Sequence, residues 1–219
     1  PVPNEDGIIP QSDQFLSLKK LDLTKYKESK EVLTIYKDFN TEQLNQYMVS
    51  KQADTVMLLF LLDTLFDEET KKKNFVFYED KTLHDSSLSK STHAILANDF
   101  GFQDMAYDLY ERALKIDLGP QMKSSDEGIH SASTGGIWES TVMGFGGVRM
   151  EGEHLRIAPK LPQKWNKLVF PLRFKGEPLK VEVEKDVALV ENRGKNQVSL
   201  LIGKEFVNIP AGHKVQRTL

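Results

Sequence analysis

Two adjacent hydroxyl side chains, Ser86 and Ser87, precede a stretch with helical periodicity. Hydroxyls at a helix N-terminus can cap free backbone N–H groups, which is the simpler interpretation of such a pair. The same position also offers an anion the exposed N–H groups, the positive end of the helix dipole and two hydroxyl donors. The sequence therefore allows a phosphate or sulfate site here, beside a purely structural role.

Three more side chains are candidates for ligand binding. Lys51 and Gln52 open an apolar segment, and the N-terminal end of a helix is the less favourable end for a cation, so Lys51 is expected to have a specific partner. His130 lies among small residues, which let a ligand approach the backbone closely. A structural role is the alternative for each. Brought together with Ser86 and Ser87, they would bind an anion beside a hydroxyl-rich ligand.

Composition excludes several functional classes. No set of His, Asp and Glu along the chain has the spacing of a metal site, and there are no cysteines for disulfides or thiolate ligands. The formal net charge of −3 predicts neither nucleic-acid binding nor attraction to an acidic membrane surface. No apolar run reaches the roughly 18 residues of a membrane span, and the lack of cysteine is compatible with the cytoplasm.

Helices must position these residues. Residues 53–66 are apolar on every face, which predicts a helix buried on all sides. A short helix with a cap at Asn40 or Thr41 is also predicted. Longer helices are predicted over residues 87–100, over 104–118 with Gly119 and Pro120 closing it, and over 137–145. One short strand is predicted at residues 7–10.

After residue 146 the periodicity changes. Residues 179–184 alternate strictly between apolar and charged side chains, the pattern of a half-buried strand. Further strands with turn residues between them are predicted over residues 168–174, 187–190, 198–202 and 206–209. Such spacing is typical of an antiparallel sandwich. We therefore predict a helical domain over residues 1–145 and a β-sandwich domain over residues 146–219.

Several motifs, in order along the chain, resemble glycoside hydrolase family 65, whose members include inverting phosphorylases of maltose, trehalose, kojibiose and nigerose. The motifs are Lys51-Gln52-Ala53-Asp54, Tyr78-Glu79 with Thr82-Leu83-His84-Asp85-Ser86-Ser87-Leu88-Ser89, Asp126-Glu127-Gly128-Ile129-His130, Gly144-Phe145-Gly146-Gly147-Val148-Arg149, and Pro159-Lys160-Leu161-Pro162-Gln163-Lys164-Trp165. The resemblance implies the C-terminal part of an (α/α)6 barrel catalytic domain, followed by a small C-terminal antiparallel β-sandwich.

The resemblance also implies roles for the candidate residues. Lys51 and Gln52 match a pair that binds the glucosyl unit, and Ser86, Ser87 and His130 match positions around the phosphate. The implied reaction is attack of inorganic phosphate, a co-substrate, on the anomeric carbon of an α-linked disaccharide, giving β-glucose 1-phosphate. One Glu protonates the leaving oxygen as general acid. The resemblance implies no cofactor and no metal.

The family's general acid lies further upstream of the Lys-Gln pair than the 50 residues that precede Lys51, and no Glu here matches its motif. We therefore expect a C-terminal fragment of a glycosyltransferase, with no catalytic residue among those present. For the whole enzyme we expect maltose as substrate, a homodimer and a cytoplasmic location. The alternatives are a trehalose-type inverting hydrolase of the same family, or a carbohydrate-binding fragment without activity.

Overall fold

The structure is a computed structural model that describes residues 2–29, 33–118 and 128–219. It divides into two compact units, of which the first ends at Ile137 and the second comprises Trp138–Leu219. The domain boundary at residue 146 stays a prediction. Two predicted features, the helix end at Gly119 and Pro120 and the first half of the motif at residues 126–130, lie outside the described residues.

The first unit is helical. Its α-helices are α1 (Thr24–Lys27), α2 (Thr41–Leu44), α3 (Asp54–Leu61), α4 (Glu68–Lys81), α5 (Ser89–Asp99), α6 (Gln103–Leu114) and α7 (Ser131–Glu139), and 3-10 helices cover Phe15–Ser17, Thr34–Lys37 and Asp63–Leu65. Asn40 caps α2, as predicted, by accepting from the N–H of Gln43. Within the described residues, no helix has the length and apolar character needed to span a membrane.

The strand predicted at residues 7–10 is wrong. The N–H of Ile9 donates to Asn74 Oδ1 at 2.8 Å, and its C=O accepts from the Tyr78 hydroxyl at 2.5 Å. Asn74 Nδ2 donates to the C=O of Gly7 at 2.8 Å. Side chains of α4 therefore satisfy backbone groups that a neighbouring strand would otherwise have to satisfy.

The prediction that α3 is buried on all sides is also wrong. Val56, Leu59 and Phe60 are buried, whereas Leu61 is 64% exposed and Leu65, in the following 3-10 helix, is 68% exposed. Helix α3 contacts α4 and α5. A helix that is apolar on every face needs packing partners on all sides. The described residues cover α3 on the side of α4 and α5 and leave Leu61 exposed.

Helices α5 and α7 approach closely at Gly136. A Cβ built on Gly136 would lie 2.8 Å from Ser91 Oγ and 2.9 Å from Ser91 Cβ, closer than real side chains come. A residue without a side chain is therefore required at this contact. The contact places α7, which follows His130, beside α5, which follows Ser86 and Ser87.

Gly136→Ala should lower the free energy of unfolding by about 1–3 kcal/mol, because the added methyl group must displace Ser91 or one of the helices. Gly135→Ala is the matched control, since a Cβ there meets nothing within 4 Å and Ala favours a helix by up to about 1 kcal/mol. Urea unfolding followed by circular dichroism measures both. A Gly136→Ala chain as stable as the wild type would show that this close contact does not exist.

The second unit continues from α7 into a π-helix, Ser140–Phe145, and then into strands. The described strands are β1 (Val148–Glu151), β2 (His154–Ile157), β3 (Lys167–Phe174), β4 (Glu177–Glu184), β5 (Val187–Asn192), β6 (Val198–Ile202), β7 (Glu205–Ile209) and β8 (Lys214–Thr218). One sheet has the order β1-β2-β6-β7 and the other β3-β4-β5-β8. The pairing of β2 with β6 is parallel, whereas the other pairings between these strands are antiparallel.

The two sheets share one apolar core, to which Ile157 and Ile202 contribute from one sheet and Val181 and Val190 from the other. These side chains are almost completely buried. Two sheets that bury their inner faces against each other form a β-sandwich. The prediction of helices followed by a sandwich is confirmed, with one parallel pairing that the sequence does not predict.

Candidate functional site

The two predicted anion-binding serines lie in a turn between α4 and α5, residues 84–88, which we call the serine turn. It begins at His84, whose φ of +59° is uncommon for a residue with a Cβ. Ser86 is 7% exposed, and its Oγ accepts from the N–H of Leu88 at 3.2 Å. Ser87 is half-buried. Ser86 thus makes a local turn bond and does not cap α5, whose N-cap residue, Leu88, has no side-chain cap bond. Its hydroxyl proton can still be donated to an acceptor.

His84 is held by its neighbours on both ring nitrogens. Nε2 lies 3.2 Å from both carboxylate oxygens of Glu79, and Nδ1 lies 3.2 Å from Ser89 Oγ. His93, on α5, bonds to the same carboxylate through Nδ1, and Lys27 Nζ lies 3.6 Å from Glu79 Oε1. Glu79 therefore ties the start of the serine turn to α1, α4 and α5.

These contacts fix the protonation states of the cluster. Burial acts to raise the pKa of Glu79, but hydrogen bonds from His84 and His93 outweigh it and hold that pKa well below its usual range. Burial lowers the pKa of His84 from 6.5 to about 3. At neutral pH, Glu79 is therefore a carboxylate and His84 is uncharged.

Acid should destabilise the chain through this cluster. Because the pKa of His84 is lower in the folded than in the unfolded state, the unfolded state binds the proton more strongly, and stability is lost as pH falls from 6.5 towards about 3. Glu79 acts in the same direction, since a carboxyl with a lowered pKa contributes stability that is lost as pH falls below 4.5.

Thermal unfolding between pH 7 and about pH 4 measures this effect. His84→Asn should flatten the dependence of the unfolding midpoint on pH, and Asn tolerates a positive φ. His213→Asn is the control, because His213 is exposed and its Nδ1 contacts the C=O of Ala211. A pH dependence that is unchanged in His84→Asn would contradict the assignment.

Glu79, His84 and His93 also place their ligand atoms within 4.8 Å of one another, as a metal site does. The sequence does not indicate this group, because α4, the serine turn and α5 bring together residues whose spacing along the chain matches no common metal motif, and the expectation of no metal site stays a prediction. Neutral imidazoles and a carboxylate are suitable zinc ligands. Here both imidazoles and Lys27 contact one carboxylate, so hydrogen bonds and an ion pair account for its position.

His130 lies directly before α7 and is held by Asp117. Its backbone N–H donates to Asp117 Oδ2 at 3.1 Å, and its Nδ1 donates to Asp117 Oδ1 at 2.7 Å. Two bonds to one carboxylate orient the ring and leave Nε2 as the nitrogen that can meet a ligand. The sequence does not single out Asp117, because only the turn after α6 brings it to His130.

Lys51 and Gln52 lie in a bend before α3, and both are exposed. Lys51 and Asp85 line a common cavity of about 530 Å³. Burial raises the pKa of Asp85, and the charge of Lys51 is among the cations that oppose this shift. Lys51 thus has a carboxylate of the serine turn near it, which fits the expectation of a specific partner.

The lining of this cavity combines aromatic rings with polar groups, a combination that suits a sugar, and its volume is typical of a small-molecule site. The rings are Phe15, Tyr36 and Tyr47, and the polar side chains include Gln11, Asn45 and Asp54. The described lining does not include Gln52, Ser86, Ser87 or His130. The joint pocket of all five candidate residues therefore stays a prediction.

Lys90 is a residue of this region that the sequence does not single out. It is only 5% exposed, and its Nζ donates to the C=O groups of His84 and Ser86. A Lys in the first turn of a helix is expected at the surface, since Lys is almost never fully buried. No pattern in the sequence indicates that this one lies beneath the serine turn.

Comparison with known proteins accounts for both units. The family model of the glycosyl hydrolase family 65 central catalytic domain matches residues 1–139. That of the glycosyl hydrolase family 65 C-terminal domain matches residues 148–207. A solved structure, a putative kojibiose phosphorylase from the human microbiome, superposes with a TM-score of 0.89 at 27% identity, covering 100% of this chain and 30% of that one.

Similar proteins of known name are phosphorylases. The chain is 45% identical over 186 residues to the kojibiose phosphorylase of Halothermothrix orenii, covering 85% of this chain and 24% of that protein. It is 37% identical over 204 residues to the kojibiose phosphorylase of Escherichia coli K12, covering 93% and 27%. It is 34% identical over 191 residues to the maltose phosphorylase of Bacillus subtilis, covering 87% and 25%.

The chain thus spans about a quarter of the length of these relatives. Its helical unit corresponds to part of a catalytic domain, and its sandwich corresponds to the domain that follows. The resemblance noted in the sequence is confirmed, and the chain belongs to glycosyl hydrolase family 65.

Proposed function

We propose that the polypeptide containing this chain is an inverting disaccharide phosphorylase and that the serine turn forms its phosphate site. The observation that carries the proposal is the placement of Ser86 and Ser87 before α5 with the buried cation Lys90 beneath them. Hydroxyls, a helix N-terminus and a nearby positive charge together favour a phosphate. The family membership and the named relatives support the same function.

The candidate residues then have distinct tasks. Ser86 and Ser87 donate their hydroxyl protons to phosphate, and His130, whose Nδ1 proton is donated to Asp117, accepts at Nε2 from a phosphate hydroxyl. Lys51 lies at the cavity with aromatic rings and, with Gln52, binds the glucosyl unit. These contacts hold a phosphate oxygen near the anomeric carbon, and such positioning contributes much of the rate of a bimolecular reaction.

The reaction itself is a single displacement. A phosphate oxygen forms a bond to the anomeric carbon while the bond to the leaving sugar oxygen breaks, with inversion to β-glucose 1-phosphate. A general acid protonates the leaving oxygen, and we place that Glu outside this chain. Phosphate is the co-substrate, and the proposal involves no cofactor or metal.

The names of the relatives reported above bear on the substrate. Both of the first two named proteins are kojibiose phosphorylases, and a maltose phosphorylase is more distant. We therefore propose kojibiose as the first substrate to test. Maltose, the substrate expected from the sequence, is the second.

The test is a panel of α-linked glucosyl disaccharides, kojibiose, maltose, trehalose and nigerose, incubated with the intact polypeptide with and without phosphate. We expect release of glucose 1-phosphate from one of them only when phosphate is present. Release of glucose alone, at a rate independent of phosphate, would instead identify a trehalose-type hydrolase. Sugar binding without cleavage would identify a carbohydrate-binding protein.

We further propose that the intact enzyme is a homodimer in the cytoplasm and that neither nucleic acid nor membrane is a partner. The net charge of −3 supports the absence of these two partners, and the lack of cysteine is compatible with the cytoplasm. The homodimer rests on the resemblance to the family alone. Light scattering of the intact polypeptide measures the oligomeric state, and a monomer would contradict the proposal.

A further inference from the structure

A buried cation, Lys90, lies against the serine turn, and no carboxylate within the described ranges of the chain forms a hydrogen bond or ion pair with it. Lys90, the second residue of α5, is 5% exposed, and its Nζ donates to the C=O of His84 and, at 3.4 Å, to that of Ser86. Among the described residues, Asp85 influences Lys90 only through its charge, with no hydrogen bond between them. A buried cation with only carbonyl partners is costly, and a nearby anion would offset that cost.

The two carbonyl bonds determine which way the peptide groups of the serine turn face. In a trans peptide, the C=O of one residue and the N–H of the next point in opposite directions. Because the C=O of His84 points to Lys90, the N–H of Asp85 points away from it. The same argument turns the N–H of Ser87 away from Lys90. Both N–H groups are therefore directed away from Lys90, each from its own peptide group.

The two bonds tie both ends of the segment His84–Ser86 to one buried ammonium group. They fix the backbone from which the side chains of Ser86 and Ser87 project, next to a residue, His84, with an uncommon positive φ. Lys90 thus acts on the serine hydroxyls through two peptide groups of the turn.

We propose that Lys90 is a positioning residue of the phosphate site, holding the peptide groups after His84 and Ser86, and with them the turn from which the hydroxyls of Ser86 and Ser87 reach phosphate. This inference rests on the proposed function.

Lys90 is charged only below a definite pH. Burial and the neighbouring cation Arg112, on α6, lower the pKa of Lys90 to about 8, although the charge of Asp85 acts to raise it. Lys90 is therefore charged at neutral pH and loses its proton as pH rises through about 8. Phosphate binding should weaken over the same range.

The first test compares variants of the intact polypeptide. Lys90→Met keeps the length of the side chain and removes both hydrogen bonds, so the KM for phosphate should rise about tenfold or more, while the KM for the disaccharide stays within about twofold. Lys90→Arg can still donate to both carbonyls and should stay within about threefold of the wild type. Lys115→Met, at an exposed position after α6, is the control.

The second test is a pH profile. The KM for phosphate should rise above about pH 8 in the wild type and rise less in Lys90→Arg, because a guanidinium keeps its charge. Phosphate ionises identically in both assays, so the difference between the two profiles isolates Lys90. This comparison decides the question even if Lys90→Met fails to fold.

The outcomes separate this inference from the proposed function. If the wild type depends on phosphate and Lys90→Met has an unchanged phosphate KM, the role of Lys90 is overturned and the proposed function stands. Parallel pH profiles of the wild type and Lys90→Arg overturn it as well. A wild type that cleaves disaccharides independently of phosphate overturns both.

Discussion

The 219-residue chain alone should release no measurable glucose 1-phosphate from kojibiose or maltose in the presence of phosphate. We place the general acid outside this chain, and positioned proton transfer contributes about 10²–10⁴-fold to a rate. The chain also spans about a quarter of its relatives, so much of the substrate site is expected elsewhere in the polypeptide. Loss of substrate orientation can cost more than loss of the acid, about 7–11 kcal/mol at the extreme.

The measurement is a glucose 1-phosphate assay of the purified chain beside the intact polypeptide, with equal molar amounts of each. Circular dichroism of the chain shows whether it is folded in the assay. Turnover by the folded chain within about tenfold of the intact protein would place the general acid among these residues, because losing it costs at least about a hundredfold.

The second large effect is expected from the serines. In the intact polypeptide, Ser87→Ala should weaken phosphate binding by about 1–3 kcal/mol, the range for losing one hydrogen bond to a charged group, and leave disaccharide binding nearly unchanged. Ser86→Ala removes in addition the bond to the N–H of Leu88, so it should also lower stability by about 0.5–1.5 kcal/mol, the net contribution of a typical hydrogen bond. The double replacement should have the largest effect on phosphate.

Initial-rate kinetics with phosphate and disaccharide varied independently separate these two affinities. Ser17→Ala is the matched control, since its exposed hydroxyl bonds locally to the C=O of Gln14 at 2.7 Å. An unchanged phosphate KM in both single variants would show that the serine turn has a structural role and does not bind phosphate.

Periodicity in the sequence predicts those elements that have one face on a core. In β4, Leu179, Val181 and Val183 are buried, and the charged residues between them are not, so the alternation is visible in the sequence. Strand β8 lies at the edge of its sheet and alternates only between half-buried and exposed residues. The polar sequence of β8, KVQRT, therefore has no comparable pattern, and no strand is predicted there from the sequence.

The contacts that orient the candidate site could not be predicted in the same way, because they join distant residues. Lys27 donates to the backbone of Glu79, 52 positions further along, and Asp117 holds His130 from 13 positions away. The sequence shows that Ser86, Ser87 and His130 could bind an anion, but the bonds that orient them depend on tertiary packing. The burial of Lys90 opposes the usual preference of its residue type.

The central claim is that Ser86, Ser87 and His130 bind the attacking phosphate. A crystal structure of the intact polypeptide, grown with phosphate and a non-cleaved sugar, tests it most directly. The account predicts an ordered phosphate with oxygens about 2.7–3.2 Å from both serine hydroxyls and from His130 Nε2. An ordered phosphate bound beside the sugar by other residues, with the serine turn not in contact with it, would contradict the account.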